Sequence, residues 1–326
     1  MRIAYAALGG TISSTGVPGG GVRPVLDAGR QLAGVDLPAG VSVEAHSLEM
    51  LPSVELTLDR IAGISRSLSA LVADGADGIV LSTGTDALEE VAWALHLTWP
   101  SNVPLIVTGA MRPASAVSPD GPGNVADAVI AAASELTRGL GVLVCFAGEL
   151  HPASSAVKTH TFSVAGFSSP GAGPLGFVSE GRVLLGAHPA APRPGLPLAA
   201  EHPPVALLPF SLGDDPRQLA AVESLGYAGL VLQGFGAGHV SSRWAETAKE
   251  LAARMPVVLS TRVPAGPVLR NSYGFPGSER DLLGNGLIGS GTLGAHKARV
   301  LLSVLLGAGR SPEQIRASFS ALSGQA

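Results

Sequence analysis

Four stretches of this chain place hydroxyls, a carboxylate, a lysine and glycines at spacings that chemistry can use. The first is Gly9-Gly10-Thr11-Ile12, directly after an apolar run. Two glycines let backbone N–H groups approach a ligand closely, and Thr11 adds a hydroxyl. The glycine-rich stretch 16–21 behind it has the composition of a lid. The second is Ser82-Thr83-Gly84-Thr85-Asp86-Ala-Leu-Glu89-Glu90, which puts Thr85 and Asp86 at the start of a helix. The positive end of a helix dipole favours negative charge there. The third runs from Gly109-Ala110-Met111-Arg112-Pro113 through Ser118-Pro-Asp120-Gly-Pro-Gly-Asn124. An irregular loop that long between strand and helix usually has a function. The fourth is Ala156-Val-Lys158-Thr159-His160-Thr161, where a lysine could activate a hydroxyl.

Each stretch also has a plainer reading. Gly9-Gly10 can be a simple turn. Asp86 and Glu89 have the spacing of a capping box. Lys158 in an alternating strand can be a solvated surface lysine. Together, however, the four supply hydroxyl nucleophiles, one carboxylate, one lysine and several loop N–H groups. That set suits acyl transfer through a threonine nucleophile, with backbone donors for the oxyanion.

Short apolar runs must position these residues. Arg2–Leu8, Val41–Ala45, Gly78–Leu81, Pro104–Val107 and Val142–Phe146 read as buried strands. Helical patterns lie between them, near Leu26–Ala33, Leu58–Ala73, Ala87–Leu97 and Asn124–Leu136. Such alternation predicts a parallel sheet with helices on both faces. In sheets of that kind ligands bind at the C-terminal strand ends, which is where the four stretches fall. From 147 to 187 the pattern breaks into short runs such as Ser154–Lys158 and Arg182–Leu185, predicted as appended hairpins. A proline-rich linker is expected at 191–203, which divides the chain into an N-terminal domain, 1–190, and a C-terminal domain, 204–326. In the second domain, strands are expected at Val205–Pro209, Gly229–Leu232 and Val257–Ser260. Helices are expected near Pro216–Ser224, Ser241–Arg254, His296–Leu306 and Pro312–Leu322.

Composition removes several classes of function. At 326 residues, 46% hydrophobic and 14% charged, the chain can bury a large core and is not disordered. The net charge of -4, without a basic run, argues against a nucleic-acid partner. The single cysteine, Cys145, lies in an apolar run, so neither an internal disulfide nor a cysteine-based zinc site can form. The eight histidines are scattered, and no metal site is expected. The opening residues lack the long apolar region of a signal peptide, and no run is long enough to span a bilayer. The expectation is a cytoplasmic protein with no membrane partner. Two GxGxxG matches, at 171–176 and 289–294, lack the context of a dinucleotide site. The first leads into a strand. The second opens a helix, but around position 310 it offers only Arg310 before Glu313.

The ordered motifs resemble the bacterial-type L-asparaginases and the related glutaminase-asparaginases over nearly the whole chain. Leu8-Gly-Gly-Thr11-Ile resembles their first active-site signature, and Ser82-Thr-Gly-Thr85-Asp86-Ala-Leu-Glu-Glu the second. Val107-Thr-Gly-Ala110-Met-Arg-Pro with Ser118-Pro-Asp-Gly-Pro, and Lys158-Thr-His-Thr, are similar to further family motifs. So are Phe167-Ser-Ser-Pro with Gly173-Pro-Leu-Gly, and Ser290-Gly-Thr-Leu with Lys297-Ala-Arg-Val-Leu-Leu.

The resemblance implies a two-domain α/β fold, with a larger parallel-sheet domain carrying hairpins and a smaller C-terminal α/β domain. It implies no cofactor, and a homo-oligomer, dimer or tetramer, with active sites between subunits. By the same resemblance Thr11 matches the nucleophile, and Thr85, Asp86 and Lys158 the second catalytic group. Ser53 matches the residue that binds the substrate α-carboxylate, and Asp86 the one that binds its ammonium. Ala110 lines the amide end. Glu279 matches a second ammonium-binding carboxylate lent by the partner subunit. The backbone N–H groups of Thr11 and Thr85 match the oxyanion donors. Three features depart from the family pattern: no tyrosine between Ser13 and Leu26, Thr83 where many members have His or Gln, and Val54 where many have Gln. The implied activity is hydrolysis of L-asparagine to L-aspartate and ammonia. Glutaminase activity, or a non-catalytic amino-acid sensor, are the alternatives. The order in which the two threonines act stays open at this level.

Overall fold

In the computed structural model the apolar runs become the strands of two separate sheets. The structure describes residues 1–16, 19–186, 195–197 and 199–322. The chain forms two units, Met1–Gly195 and Leu196–Ala326. The linker expected at 191–203 lies partly outside the described residues, at 191–194 and 198.

The first unit begins with β1 (Arg2–Gly9), the ribbon β2 (Ser14–Gly16) and β3 (Val22–Pro24), and α1 (Ala28–Leu32). It continues with β4 (Ser42–Leu51), α2 (Leu58–Ala73), β5 (Gly78–Ser82), α3 (Leu88–Thr98), β6 (Leu105–Thr108), α4 (Gly121–Ala132) and β7 (Val142–Phe146). It ends with β8 (Glu149–Pro152), β9 (Val157–Lys158), β10 (Phe167–Ser168), β11 (Gly176–Ser179) and β12 (Arg182–Leu185).

The large sheet has the order β12-β11-β8-β7-β6-β5-β1-β4. Its strands β4, β1, β5, β6 and β7 pair in parallel, while β8, β11 and β12 add antiparallel. Strands β5, β6 and β7 are buried throughout, as the central strands of a sheet covered on both faces must be. On one face Ile3, Tyr5, Val80, Ile106, Leu143 and Cys145 pack with the α4 residues Val125, Ala128 and Val129. Burial pushes the Cys145 thiol well above its ordinary range, so it is an inert core residue. On the other face lie α2 and α3, whose Trp93 is fully buried.

The second unit holds β13 (Val205–Pro209), α5 (Arg217–Ala221), β14 (Gly229–Gly234), α6 (Ser242–Ala252), β15 (Val257–Thr261), α7 (Glu279–Gly284), β16 (Ile288–Gly289), α8 (Ala295–Gly307) and α9 (Pro312–Leu322). Its four strands pair in parallel in chain order. Among the described residues no helix is long and apolar enough to cross a membrane.

Several expectations change in detail. The strand expected over Ser154–Lys158 shrinks to Val157–Lys158, because the N–H groups of Ser155 and Ala156 both donate to Pro152 O in a turn. The helix expected to reach Leu136 stops at Ala132, and a separate turn of 3₁₀ helix covers Glu135–Thr137. The β2–β3 ribbon, α7 and β16 were not expected. Each has six residues per segment or fewer, too few to print a period on the sequence.

Candidate active site

Thr11 follows the end of β1, where Gly9 and Gly10 both take left-handed backbone conformations. The Gly10 carbonyl accepts three hydrogen bonds, from Ser13 N at 3.1 Å and from Ser13 Oγ and Ser14 Oγ at 2.8 Å each. In a trans peptide the C=O and the following N–H point opposite ways, so this anchoring fixes the direction of the Thr11 N–H. The Thr11 side chain is partly exposed, and nothing among the described residues hydrogen-bonds to its hydroxyl.

The loop after β5 lies directly against this turn. A Cβ on Gly10 would collide with Gly84 Cα, and a Cβ on Gly84 would sit 2.7 Å from Ser53 Oγ. Glycine at both positions is therefore what lets Thr11, Thr85 and Ser53 come from three separate segments to one place. Ser53 is buried, and its Oγ accepts from Ala87 N at 3.3 Å, bracing the Thr85–Asp86–Ala87 turn.

Lys158 completes the group from β9. Its Nζ donates to Thr85 Oγ1 at 3.0 Å and to Asp86 Oδ1 at 2.6 Å. Thr85 is only 5% exposed, whereas the Asp86 side chain is 66% exposed. The lysine thus holds a shielded hydroxyl on one side and an open carboxylate on the other. The Lys158 backbone N–H donates to Glu89 Oε2 at 2.5 Å.

This geometry corrects the capping-box reading. Helix α3 starts at Leu88 with Ala87 at its cap and no side-chain cap hydrogen bond. Asp86 turns to Lys158, 72 residues away, and Glu89 reaches to β9. Lys158 is correspondingly not a solvated surface lysine: its side chain is 19% exposed.

The Gly109–Asp120 loop is fastened by Asp120 and Asn124. Asp120 accepts from Met111 N at 2.9 Å and Arg112 N at 2.8 Å. Asn124 Nδ2 donates to Gly109 O at 3.0 Å, and its Oδ1 accepts from Ala147 N at 3.0 Å. These bonds fix Ala110, which is buried, in a loop whose Gly109 packs on Thr83 and Thr85. The only available signal was the Asp-to-Asn spacing of four residues at the helix start. Thr83 is fully buried, and its hydroxyl has no hydrogen-bond partner among the described residues.

Glu279, which the resemblance matches to a carboxylate lent across the subunit interface, is tied into its own chain in the structure. It is fully buried within the second unit. Its Oε1 accepts from Ser272 N at 2.7 Å and Tyr273 N at 2.8 Å, and its Oε2 faces His239 Nε2 at 3.1 Å. A carboxylate so used anchors the 272–278 loop. Burial alone would raise its pKa, but the Tyr273, Ser272 and His239 hydrogen bonds outweigh that and hold it low. Asp281, which accepts from Lys249 Nζ and Gly277 N, is also held low.

A carboxylate with a depressed folded pKa stabilises the fold above its unfolded pKa, and that stability is lost as pH falls. The melting temperature is therefore expected to fall as pH drops from 7 to about 3, through the ordinary carboxylate range. Glu279→Gln should melt lower at pH 7 and lose less on acidification. An unchanged pH slope in Glu279→Gln would assign the acid sensitivity to other groups.

Among the described residues no cluster of His, Cys, Asp and Glu could hold a metal ion. What the arrangement offers is an unengaged hydroxyl, a shielded hydroxyl under a lysine, and an open carboxylate.

Comparison with known proteins gives consistent matches over both units. Residues 2–191 match the family model "Asparaginase, N-terminal". Residues 204–319 match "Glutaminase/Asparaginase C-terminal domain". The chain is 37% identical over 325 residues to a probable L-asparaginase of Deinococcus radiodurans, covering 98% of this chain and 97% of that one. It is 35% identical over 250 residues to a probable periplasmic L-asparaginase of Haemophilus influenzae, covering 74% of this chain and 70% of that one. The crystal structure of a probable cytoplasmic L-asparaginase from Campylobacter jejuni superposes with a TM-score of 0.86 at 30% identity. It covers 98% of this chain and 99% of that one.

Proposed function

Because the chain belongs to the asparaginase family, we propose that it hydrolyses the side-chain amide of L-asparagine to L-aspartate and ammonia, with Thr11 as nucleophile. The observation that carries this reading is the Thr85–Lys158–Asp86 cluster, with Thr11 brought beside it through the Gly10–Gly84 contact.

In this mechanism Thr11 Oγ attacks the amide carbon. The backbone N–H groups of Thr11 and Thr85 donate to the oxygen that becomes negative, where fixed donors are worth most. Thr85 and Lys158 pass the proton of the attacking hydroxyl to the leaving nitrogen, and the C–N bond breaks to release ammonia. Water then attacks the Thr11 ester and frees aspartate. Ser53 takes the α-carboxylate and Asp86 the α-ammonium, while Ala110 lines the amide end. No metal or cofactor is needed for any step.

Glutamine is the alternative substrate. It is longer by one methylene, a difference that pockets discriminate by only about 1–3 kcal/mol. The reading also includes a homo-oligomer, dimer or tetramer, with sites completed between subunits, and residence in the cytoplasm. The relatives above carry both cytoplasmic and periplasmic labels, so the cytoplasmic part rests on the likeness to the Campylobacter jejuni protein.

The test is ammonia release by the purified protein, with L-asparagine and L-glutamine in parallel. Release from asparagine at the higher kcat/KM is the expected result. A higher kcat/KM with glutamine would make it a glutaminase. Silence with both amides in folded protein would overturn the enzyme reading and leave an amino-acid-binding protein on the same fold.

A further inference from the structure

The two-stranded ribbon that carries Lys158 is too small to hold its own position. β9 and β10 share two residue pairs, Phe167 with Lys158 and Ser168 with Val157. An isolated pair of strands is marginal in water even when longer. Besides the bonds of the Lys158 ammonium to Thr85 and Asp86, the following contacts fasten it to the rest of the first unit. Glu89 accepts from Lys158 N. The Phe167 ring packs on Phe146, at the end of β7, with centroids 4.7 Å apart. The third is a buried polar chain rooted in β8. His151 Nδ1 lies 3.0 Å from Ser169 Oγ, and Ser155 Oγ donates to Ser169 Oγ at 3.2 Å.

We propose that His151 is a positioning residue for Lys158, clasping to β8 the two chain segments by which the ribbon leaves the sheet. Ser155 stands just before β9, and Ser169 just after β10. One imidazole nitrogen therefore ties both, through a single chain of two hydroxyls. The carboxylate beside the other nitrogen favours one direction for that chain. His151 Nε2 lies 3.1 Å from Glu149 Oε2, without hydrogen-bond geometry. With the proton of a neutral ring on Nε2, toward that negative charge, Nδ1 accepts from the Ser169 hydroxyl. The His151 side chain is fully buried, which pushes its pKa down, with Glu149 pulling the other way. Ser169 is buried as well, while Ser155 is partly exposed. Losing the acceptor would strand the buried Ser169 hydroxyl and free the ribbon on the side away from Glu89.

The inference rests on the reading of Lys158 as a group that acts in amide hydrolysis, so its test needs a readout independent of activity. His151→Asn keeps an acceptor near the place of Nδ1. His151→Gln carries its amide toward the place of Nε2 and leaves Ser169 without a partner. Ser169→Ala removes the clasp by the smallest change.

His151→Gln and Ser169→Ala are expected to lower kcat by about tenfold to a hundredfold, the scale of a small misplacement, with KM nearly unchanged. His151→Asn should recover most of the loss, and the double variant His151→Gln/Ser169→Ala should be no worse than either alone. Amide hydrogen exchange should accelerate over residues 155–169 in the two damaging variants and stay at the wild-type rate in β5, β6 and β7. If the wild-type protein hydrolyses neither amide, the reaction reading falls, and the exchange pattern alone decides the clasp. Wild-type exchange over 155–169 in Ser169→Ala would overturn the proposal. So would equal kcat losses in His151→Asn and His151→Gln with faster exchange throughout the unit.

Discussion

Replacing Thr11 by alanine is expected to lower kcat with L-asparagine by at least about 10³-fold, the scale on which a lost nucleophile is felt. That corresponds to about 4 kcal/mol of transition-state stabilisation. The fold should be unaffected, because nothing in the turn depends on the Thr11 hydroxyl. The turn is held by the Gly10 carbonyl and its three donors, all of which remain. Thr85→Ala should also be slow, for a different reason. Its hydroxyl is buried under Lys158 and already engaged, so its loss breaks proton movement without removing the attacking atom. Acid quenching during turnover of a slow substrate, followed by mass spectrometry of the peptides, separates the two roles. An acyl group on the peptide containing Thr11 is expected in wild type and in Thr85→Ala. An acyl group on the peptide containing Thr85 instead would reverse the assignment. Full activity in both alanine variants would end the threonine mechanism.

Lys158→Met is expected to lower kcat by about 10²- to 10⁴-fold, the usual contribution of a positioned acid or base. Methionine keeps the apolar stem in place and removes the ammonium. It also leaves the backbone N–H of residue 158 free to donate to Glu89, so the ribbon stays where it was. Stability should change little, because the abandoned Asp86 carboxylate is mostly exposed and can be hydrated. Lys158→Arg should not rescue the rate. A planar guanidinium cannot reproduce one compact group that meets Thr85 Oγ1 at 3.0 Å and Asp86 Oδ1 at 2.6 Å. The checks are steady-state kinetics and a melting curve on each variant. A rate within a fewfold of wild type for Lys158→Met would remove the lysine from the mechanism.

Much of the architecture could be read from the chain because the interior leaves a strong mark. Val142–Phe146 and Leu58–Ala73 stand in the structure with the bounds their patterns predicted. A strand buried on both faces is a near-continuous apolar run, and a long amphipathic helix repeats its period several times. The site's residue types were also legible, since Thr11, Thr85, Asp86 and Lys158 each sit in a short motif of glycines and hydroxyls. Asp120 and Asn124 were visible as part of a long loop, but their work is done on the backbone of Gly109, Met111 and Arg112, which leaves no side-chain signature.

Local pattern failed where a partner far along the chain decided the outcome. Asp86 and Glu89 have capping-box spacing, yet both spend their carboxylates on Lys158, the first on its ammonium and the second on its backbone. No local pattern around Glu279 shows that Ser272, Tyr273 and His239 fold onto its carboxylate. The sequence by itself determined the two α/β domains, the fully buried strands and the inventory of chemistry at the strand ends, because hydrophobic periodicity and loop composition are local. The tertiary structure alone decided which carboxylate meets which cation, that Gly10 and Gly84 touch, and that a buried histidine clasps the lysine ribbon. Those outcomes depend on hydrogen bonds and van der Waals contacts between segments tens of residues apart, and such contacts exist only once the sheet has set the distance between its strand ends.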